Sequence, residues 1–150
     1  MTGAIPLEFL AEDDVDAVVL SQPTVPVFGK GKFGMPEEAV NASFSAINGS
    51  RRKRIISFNY LADRLTIGKT FAIAERFASP AVAGRHILYI GVLRDAVIDR
   101  EKIPADLSGW HRLEVHDCKG HSTITATENP HDLLVFRTAL FKELGLKMPQ

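Results

Sequence analysis

The sequence predicts a single α+β domain whose sheet is mostly antiparallel. Its 150 residues fit one domain, and a composition of 45% hydrophobic and 24% charged residues is typical of a globular protein. Hydrophobic residues recur at helical spacing in some segments and alternate in a strand-like way in another. No internal repeat or long linker interrupts the chain, so no domain boundary is predicted within residues 1–150.

The first two predicted elements are a strand within residues 15–28 and a helix over residues 36–48. Pro36 suits the first position of a helix, because its missing N–H would have no partner there. Two acidic residues follow in the first turn, where negative charge is favourable, and Gly49 supplies a stop signal. The apolar residues of this helix recur at helical spacing and are Val40, Phe44 and Ile47.

A second helix and another strand are predicted in the middle of the chain. The helix covers residues 56–78 and is expected to break near Gly68, because glycine is unfavourable in a helix interior. Residues 86–93 form a short apolar run, which is typical of a buried strand.

A β-hairpin is predicted over residues 111–127. With Lys119 and Gly120 as a two-residue turn, the apolar side chains of both strands share one face, and a slip of one residue would mix the two faces. A four-residue loop is the alternative, because lysine is not ideal in a left-handed conformation. The apolar residues on the shared face are Leu113, Val115, Ile124 and Ala126.

The last predicted helix covers residues 130–144. Asn129 is a suitable N-cap, Pro130 suits the first helical position, and Gly145 is a suitable C-terminal glycine. The apolar residues of its core face are Leu133, Phe136, Leu140 and Leu144.

Charge is distributed unevenly along the chain, although the formal net charge is zero. Residues 1–28 hold five acidic residues and no Lys or Arg, whereas residues 29–100 hold twelve Lys and Arg against six Asp and Glu. This asymmetry indicates an anionic partner such as DNA or RNA. The alternative is a solvated loop whose charge the acidic N-terminal region balances. The predicted anion-binding residues are Lys30, Lys32, Arg51, Arg52, Lys53 and Arg54.

A glycine pattern precedes the first helix. Residues Gly29 to Gly34 fit the G-x-G-x-x-G template of dinucleotide-binding loops, and Lys30 and Lys32 lie between the glycines. Pro23 and Pro26 are unusual in the central parallel strand that such a loop would follow. The segment therefore predicts either a phosphate-binding loop or a turn.

A possible zinc site lies in the predicted hairpin. His116 and Cys118 would share a strand face, and His121 would pair across the turn, so three metal-capable side chains would lie together. A structural zinc site normally has four ligands, and no fourth is evident. The alternative is a set of exposed polar side chains on a hairpin.

The sequence also indicates the compartment. Cys118 is the one cysteine, so no internal disulfide can form, and a reducing environment fits best. No secretory signal and no apolar run long enough to cross a membrane is evident. A cytoplasmic protein without a membrane partner is therefore expected, and the oligomeric state is not predicted.

The stretch Leu88-Tyr89-Ile90-Gly91 resembles the second signature strand of GIY-YIG endonucleases. In that family a charged helix with an arginine follows the strand, as it would here in the sequence after Gly91. Residues 70–73 lie roughly where the first signature strand would be, although Ala72 stands near the place of its tyrosine. The resemblance therefore allows either an active nuclease or an inactive relative.

The resemblance implies specific roles for four residues. Tyr89 would assist the attacking water, and Arg94 or Arg100 would steady the phosphate. Glu143, in the last helix, would hold Mg²⁺, which would neutralise the charge that develops on the phosphate.

Three functional hypotheses follow from the sequence. The first is a nucleic-acid-associated protein such as a divergent or inactive GIY-YIG-like nuclease, for which Mg²⁺ is the cofactor if it is active. The second is an interaction protein without catalysis, such as a phage, immunity or regulatory factor, which would bind a protein partner. The third is a nucleotide-binding or phosphate-binding protein that uses the loop from Gly29 to Gly34.

Overall fold

The computed structural model describes residues 5–23, 33–60, 63–77, 85–92, 112–117 and 130–149. These residues form a short 3-10 helix, four strands and three α-helices. In chain order the elements are the 3-10 helix Ile5–Ala11, β1 Ala17–Ser21, α1 Glu37–Gly49, β2 Arg54–Tyr60, α2 Arg64–Arg76, β3 His86–Val92, β4 Arg112–Asp117 and α3 Pro130–Leu144.

The four strands form one sheet in the order β1-β2-β3-β4. All three pairings are parallel, with Ala17 beside Arg54, Ile55 beside His86 and Ile87 beside Arg112. The predicted combination of helices and a sheet is confirmed, but the predicted antiparallel arrangement is wrong. The physical reason lies in the connections between the strands. Helix α1 connects β1 to β2, and α2 connects β2 to β3. A connection of that length returns the chain to the same edge of the sheet, so the next strand runs parallel to the previous one.

The predicted helix over 56–78 is wrong in its first half, because β2 occupies Arg54–Tyr60. The polar residues Ser57 and Asn59 alternate with large apolar residues in β2, which is a strand period. The strand is central and buried on both faces, so these polar residues are buried too. The second half is confirmed as α2, which passes through Gly68 without a break.

The other predicted elements agree better with the structure. Helices 36–48 and 130–144 are confirmed as α1 and α3, with Pro36 one residue before the first helical position. Strand 86–93 is confirmed as β3, and β1 lies within residues 15–28. Within the predicted hairpin 111–127, residues Arg112–Asp117 form the strand β4, which pairs in parallel with β3. The rest of the predicted hairpin, residues 111 and 118–127, lies outside the described part.

Hydrophobic cores lie on both faces of the sheet. The 3-10 helix, α1 and α2 cover one face, where the largest fully buried residues include Leu7, Leu20, Ile47, Ile55 and Ile73. Helix α3 covers the other face, where Phe136 packs with Ile56, Phe58, Tyr60 and Tyr89. The packing of α3 on this face brings its C-terminal end to the edge at which the strands begin.

None of the helices that the structure describes is both long enough and apolar enough to cross a bilayer.

Candidate functional site

A cavity of about 360 Å³ lies at the amino edge of the sheet, where β1, β2 and β3 begin. Parallel strands all start at the same edge, so the residues that precede each strand converge there. We name this site the arginine cavity, because four of its lining residues are arginines. Its lining consists of Asp16, Arg51, Arg52, Arg54, Arg85, Ile87 and Glu143.

Two of the four arginines are exposed. Arg51 and Arg52 lie in the short connection between α1 and β2, and the backbone N–H of Arg52 donates to the hydroxyl of Ser50 at 3.3 Å. The connection is only four residues long, so both side chains stay close to the first residue of β2. They are the arginines that an incoming ligand would meet first.

The other two arginines are anchored by backbone carbonyls. Nη1 of Arg54 donates to the carbonyl of Glu143 at 2.6 Å, which ties the start of β2 to the end of α3. Nη1 of Arg85 donates to the carbonyls of Ile47 and Ser50, at the end of α1. Nε of Arg54 is buried and has no hydrogen-bond partner among the described residues. An arginine has five N–H donors, so one anchored Nη1 leaves further donors for a ligand.

Glu143 connects the cavity with the core. The buried phenol of Tyr89 donates to Oε1 of Glu143 at 2.7 Å, and the Tyr89 ring stacks on Phe58 with ring centroids 5.0 Å apart. The Tyr89 ring therefore belongs to the core under α3, and the phenol orients a carboxylate that lines the cavity. Tyr89 and Glu143 were both predicted as site residues from the GIY-YIG resemblance, and the structure places them in contact.

Lys53 does not belong with the exposed basic residues. Its side chain is buried, and its ammonium donates to the carbonyls of Glu12 at 2.5 Å and Val15 at 2.8 Å. It is absent from the lining of the arginine cavity. The charge of Lys53 is engaged by the turn before β1, and its predicted role in anion binding stays a prediction.

The remaining predicted site residues are only partly described. His116 lies in β4 beside Gly91 of β3. No group of three or more His, Cys, Asp or Glu side chains within the described residues is arranged to hold a metal ion. The predicted Mg²⁺ and zinc sites therefore stay predictions. The predicted residues outside the described part are Lys30, Lys32, Arg94, Arg100, Cys118 and His121.

Polar side chains also lie at the opposite, carboxyl edge of the sheet. Nε2 of Gln22 donates to Oδ2 of Asp63 at 3.1 Å. The hydroxyl of Thr66 donates to Oδ1 of Asn59 at 2.6 Å, and Asn59 in turn contacts the hydroxyl of Thr70. These groups hydrogen-bond to one another and connect β1 and β2 to the start of α2.

Two charged lining residues of the cavity, Asp16 and Arg85, were not predicted. Each lies directly before a strand, which is the only sequence signal that could have indicated them. That signal becomes informative only when the strands are known to be parallel, because only then do their first residues share an edge.

Comparison of the chain with protein-family models, with curated proteins and with solved structures gives no significant match.

Proposed function

We propose that this protein binds the phosphate groups of nucleic acid through the arginine cavity. The observation that carries the proposal is the convergence of four arginines, from two separate parts of the chain, around one cavity. The planar guanidinium group can bind a phosphate through two parallel hydrogen bonds, which makes arginine well suited to phosphate recognition. Two of the guanidinium groups are already oriented by backbone carbonyls, so less conformational entropy is lost on binding.

The charge of the cavity supports an anionic ligand. Four arginines and two carboxylates give the lining a formal charge of +2, although the whole chain has a formal charge of zero. A local excess of positive charge attracts polyanions and speeds their association. It also releases counterions from nucleic acid, which makes the affinity depend on salt.

The proposed site lies at an unusual edge of the sheet. Ligands of open parallel sheets generally bind outside the carboxyl ends of the strands. Here the side chains of Gln22, Asn59 and Asp63 at that edge are engaged in hydrogen bonds within the protein. The exposed side chains of Arg51 and Arg52 lie at the amino edge, in the same cavity as Arg54 and Arg85, and for this reason we place phosphate binding there.

The first test removes the two exposed arginines. The double variant Arg51→Ala and Arg52→Ala should weaken binding to both DNA and RNA oligonucleotides by about tenfold or more at low salt. It should also reduce the slope of log affinity against log salt by about 1–2, because two phosphate contacts are lost. Fluorescence anisotropy with labelled oligonucleotides over a salt series measures both quantities.

A matched control distinguishes the loss of two cavity arginines from the loss of any two positive charges on the surface. Arg137 and Lys147 are exposed and do not line the arginine cavity, so the double variant Arg137→Ala and Lys147→Ala removes the same charge elsewhere. We expect it to reduce affinity only slightly. Equal losses of affinity in the two double variants would contradict the assignment of binding to the cavity.

The parent protein itself provides the broadest test. If it does not bind DNA or RNA at low salt, the proposal is wrong and the non-catalytic interaction protein becomes the leading hypothesis.

A second candidate function is nucleotide binding by the loop from Gly29 to Gly34. The observation that favours it is the parallel topology, because this loop lies between β1 and α1, as the strand-loop-helix order of such sites requires. Strand β1 ends at Ser21, so Pro23 and Pro26 do not interrupt it. Residues 24–32 lie outside the described part of the chain, so this candidate depends on the order of the elements.

Titration with ATP distinguishes this candidate from the arginine cavity. If the loop binds the phosphates, the double variant Lys30→Ala and Lys32→Ala should weaken ATP binding about tenfold, since each lysine contributes on the order of 0.5–1 kcal/mol of favourable electrostatic interaction. Isothermal titration calorimetry provides the measurement. A loss of affinity confined to the Arg51 and Arg52 double variant would assign nucleotide binding to the cavity instead.

The proposal concerns binding and not cleavage. The phenol of Tyr89 is fully buried, and its contact with the cavity passes through Glu143. In the proposed site Tyr89 therefore positions a carboxylate. The nuclease activity that the GIY-YIG resemblance implies stays a prediction.

A further inference from the structure

The charge of the arginine cavity matches one class of phosphate better than another. A terminal phosphate monoester carries about −1.5 to −2 charges at neutral pH, whereas each internal phosphodiester carries −1. The lining has a formal charge of +2, from four arginines and two carboxylates. A monoester would therefore neutralise the cavity, and a single internal phosphodiester would leave it positively charged.

The hydrogen-bonding capacity of the cavity also favours a monoester. A monoester presents three strong acceptor oxygens. Arg54 and Arg85 are anchored on two sides of the cavity, at the end of α3 and at the end of α1. Arg51 and Arg52 are exposed and line the same cavity, so guanidinium donors from two parts of the chain line one cavity. This arrangement fits a phosphate that projects into a cavity better than a strand that passes across it.

The two carboxylates disfavour a continuous backbone. A strand that crossed the cavity would bring its next phosphates, on both sides, towards a lining that includes Asp16 and Glu143. Like charges repel at close range, so these phosphates would be repelled on both sides of the cavity. A chain end has a neighbouring phosphate on one side only, so it meets less repulsion. Carboxylate oxygens can also accept hydrogen bonds from the hydroxyl groups of a terminal sugar. The volume of about 360 Å³ is at the lower end of the range for small-ligand sites, which fits one terminal nucleotide.

From these observations we infer that the arginine cavity binds the terminal phosphate monoester of a nucleic-acid chain. The inference rests on the proposed function, because it specifies which phosphate enters the same cavity. It assigns the anchored pair, Arg54 and Arg85, to the phosphate oxygens, and Asp16 and Glu143 to the terminal nucleotide. Arg51 and Arg52 would close over the phosphate from the exposed side.

The test compares oligonucleotides of one sequence that differ only at their ends. Single strands with a 5′-phosphate, with a 3′-phosphate or with hydroxyl groups at both ends are titrated by fluorescence anisotropy, with the label at an internal base. We expect at least one phosphorylated strand to bind tenfold or more tightly than the strand with two hydroxyl ends. The preference should be reduced in the Arg51→Ala and Arg52→Ala double variant and persist unchanged in the Arg137→Ala and Lys147→Ala control.

The outcomes separate the inference from the proposed function. If all three strands bind equally and binding still depends on Arg51 and Arg52, phosphate binding by the cavity stands and the inference is wrong. If no strand binds, both are wrong. Competition gives a second measurement, in which adenosine monophosphate should displace a phosphorylated strand at concentrations where adenosine does not. Equal displacement by the two compounds would also overturn the inference.

Discussion

Replacing Phe58 with alanine should lower the free energy of unfolding by about 3–5 kcal/mol, the usual cost of removing a buried aromatic side chain. Phe58 lies in the central strand β2 and is fully buried. Its ring stacks on Tyr89 with centroids 5.0 Å apart and meets the edge of Phe136 at 5.6 Å. The loss would therefore combine the transfer of a large apolar group with a cavity between the sheet and α3. Urea unfolding followed by circular dichroism provides the measurement.

Two further variants check the reason for this loss. Phe9 is 55% exposed, so Phe9→Ala should change the free energy of unfolding by no more than about 0.5 kcal/mol. Phe58→Leu should cost less than Phe58→Ala, because leucine fills part of the space. If Phe58→Ala costs no more than Phe9→Ala, then Phe58 does not pack between the sheet and α3.

The position of Phe58 also bears on the arginine cavity. Helix α3 carries Phe136 near its middle and Glu143 near its end. Contact of Phe136 with Phe58 fixes the helix on the sheet, and this placement brings Glu143 to Tyr89 and Arg54. The aromatic core therefore orients one of the two carboxylates of the cavity.

Helices α1 and α3 could be predicted because their signals are local. Pro36 and the two acidic residues after it mark the start of α1, and Gly145 follows the end of α3 with a positive φ of 68°. Such signals depend on the backbone of a few neighbouring residues, so they can be recognised without knowledge of the tertiary structure.

Strand β2 and the direction of the sheet could not be predicted in the same way. Ser57 and Asn59 reduce the apolar character of β2, and Asn59 is tolerated in the interior because Thr66 donates a hydrogen bond to it. That partner lies on the next helix, so the sequence of the strand alone does not indicate it. With β2 mistaken for a helix, the chain lacked the alternation of strands and helices that indicates a parallel sheet.

The cavity was predictable only in part. The charge of Arg51, Arg52 and Arg54 indicated an anion-binding surface, and all three line the cavity. Arg85 lies more than thirty positions further along the chain, and the parallel pairing of β2 with β3 brings it to the same edge. Lys53 was grouped with its neighbours because charge alone does not show which side chain turns inward.

Lys53 gives the second large expected effect. Replacing it with methionine should lower the free energy of unfolding by about 2–3 kcal/mol, because hydrogen bonds from a charged donor contribute about 1.5–3 kcal/mol each and removal of a buried charge offsets part of their loss. The two bonds hold the carbonyls of Glu12 and Val15, in the turn that leads into β1. Methionine has a similar length and keeps the apolar contacts, so the comparison isolates the ammonium group. Urea unfolding measures the change.

The neighbouring substitution Arg52→Met is the matched control, because it removes the same charge one position earlier in the chain. Arg52 is exposed, so this variant should keep its stability within about 0.5 kcal/mol and lose affinity for oligonucleotides. Lys53→Met, measured at a temperature where it is fully folded, should keep the affinity of the parent within about twofold, since its ammonium is engaged away from the cavity. If Lys53→Met instead kept its stability and lost affinity as Arg52→Met does, the ammonium would contact the ligand. The assignment of Lys53 to the turn before β1 would then be wrong.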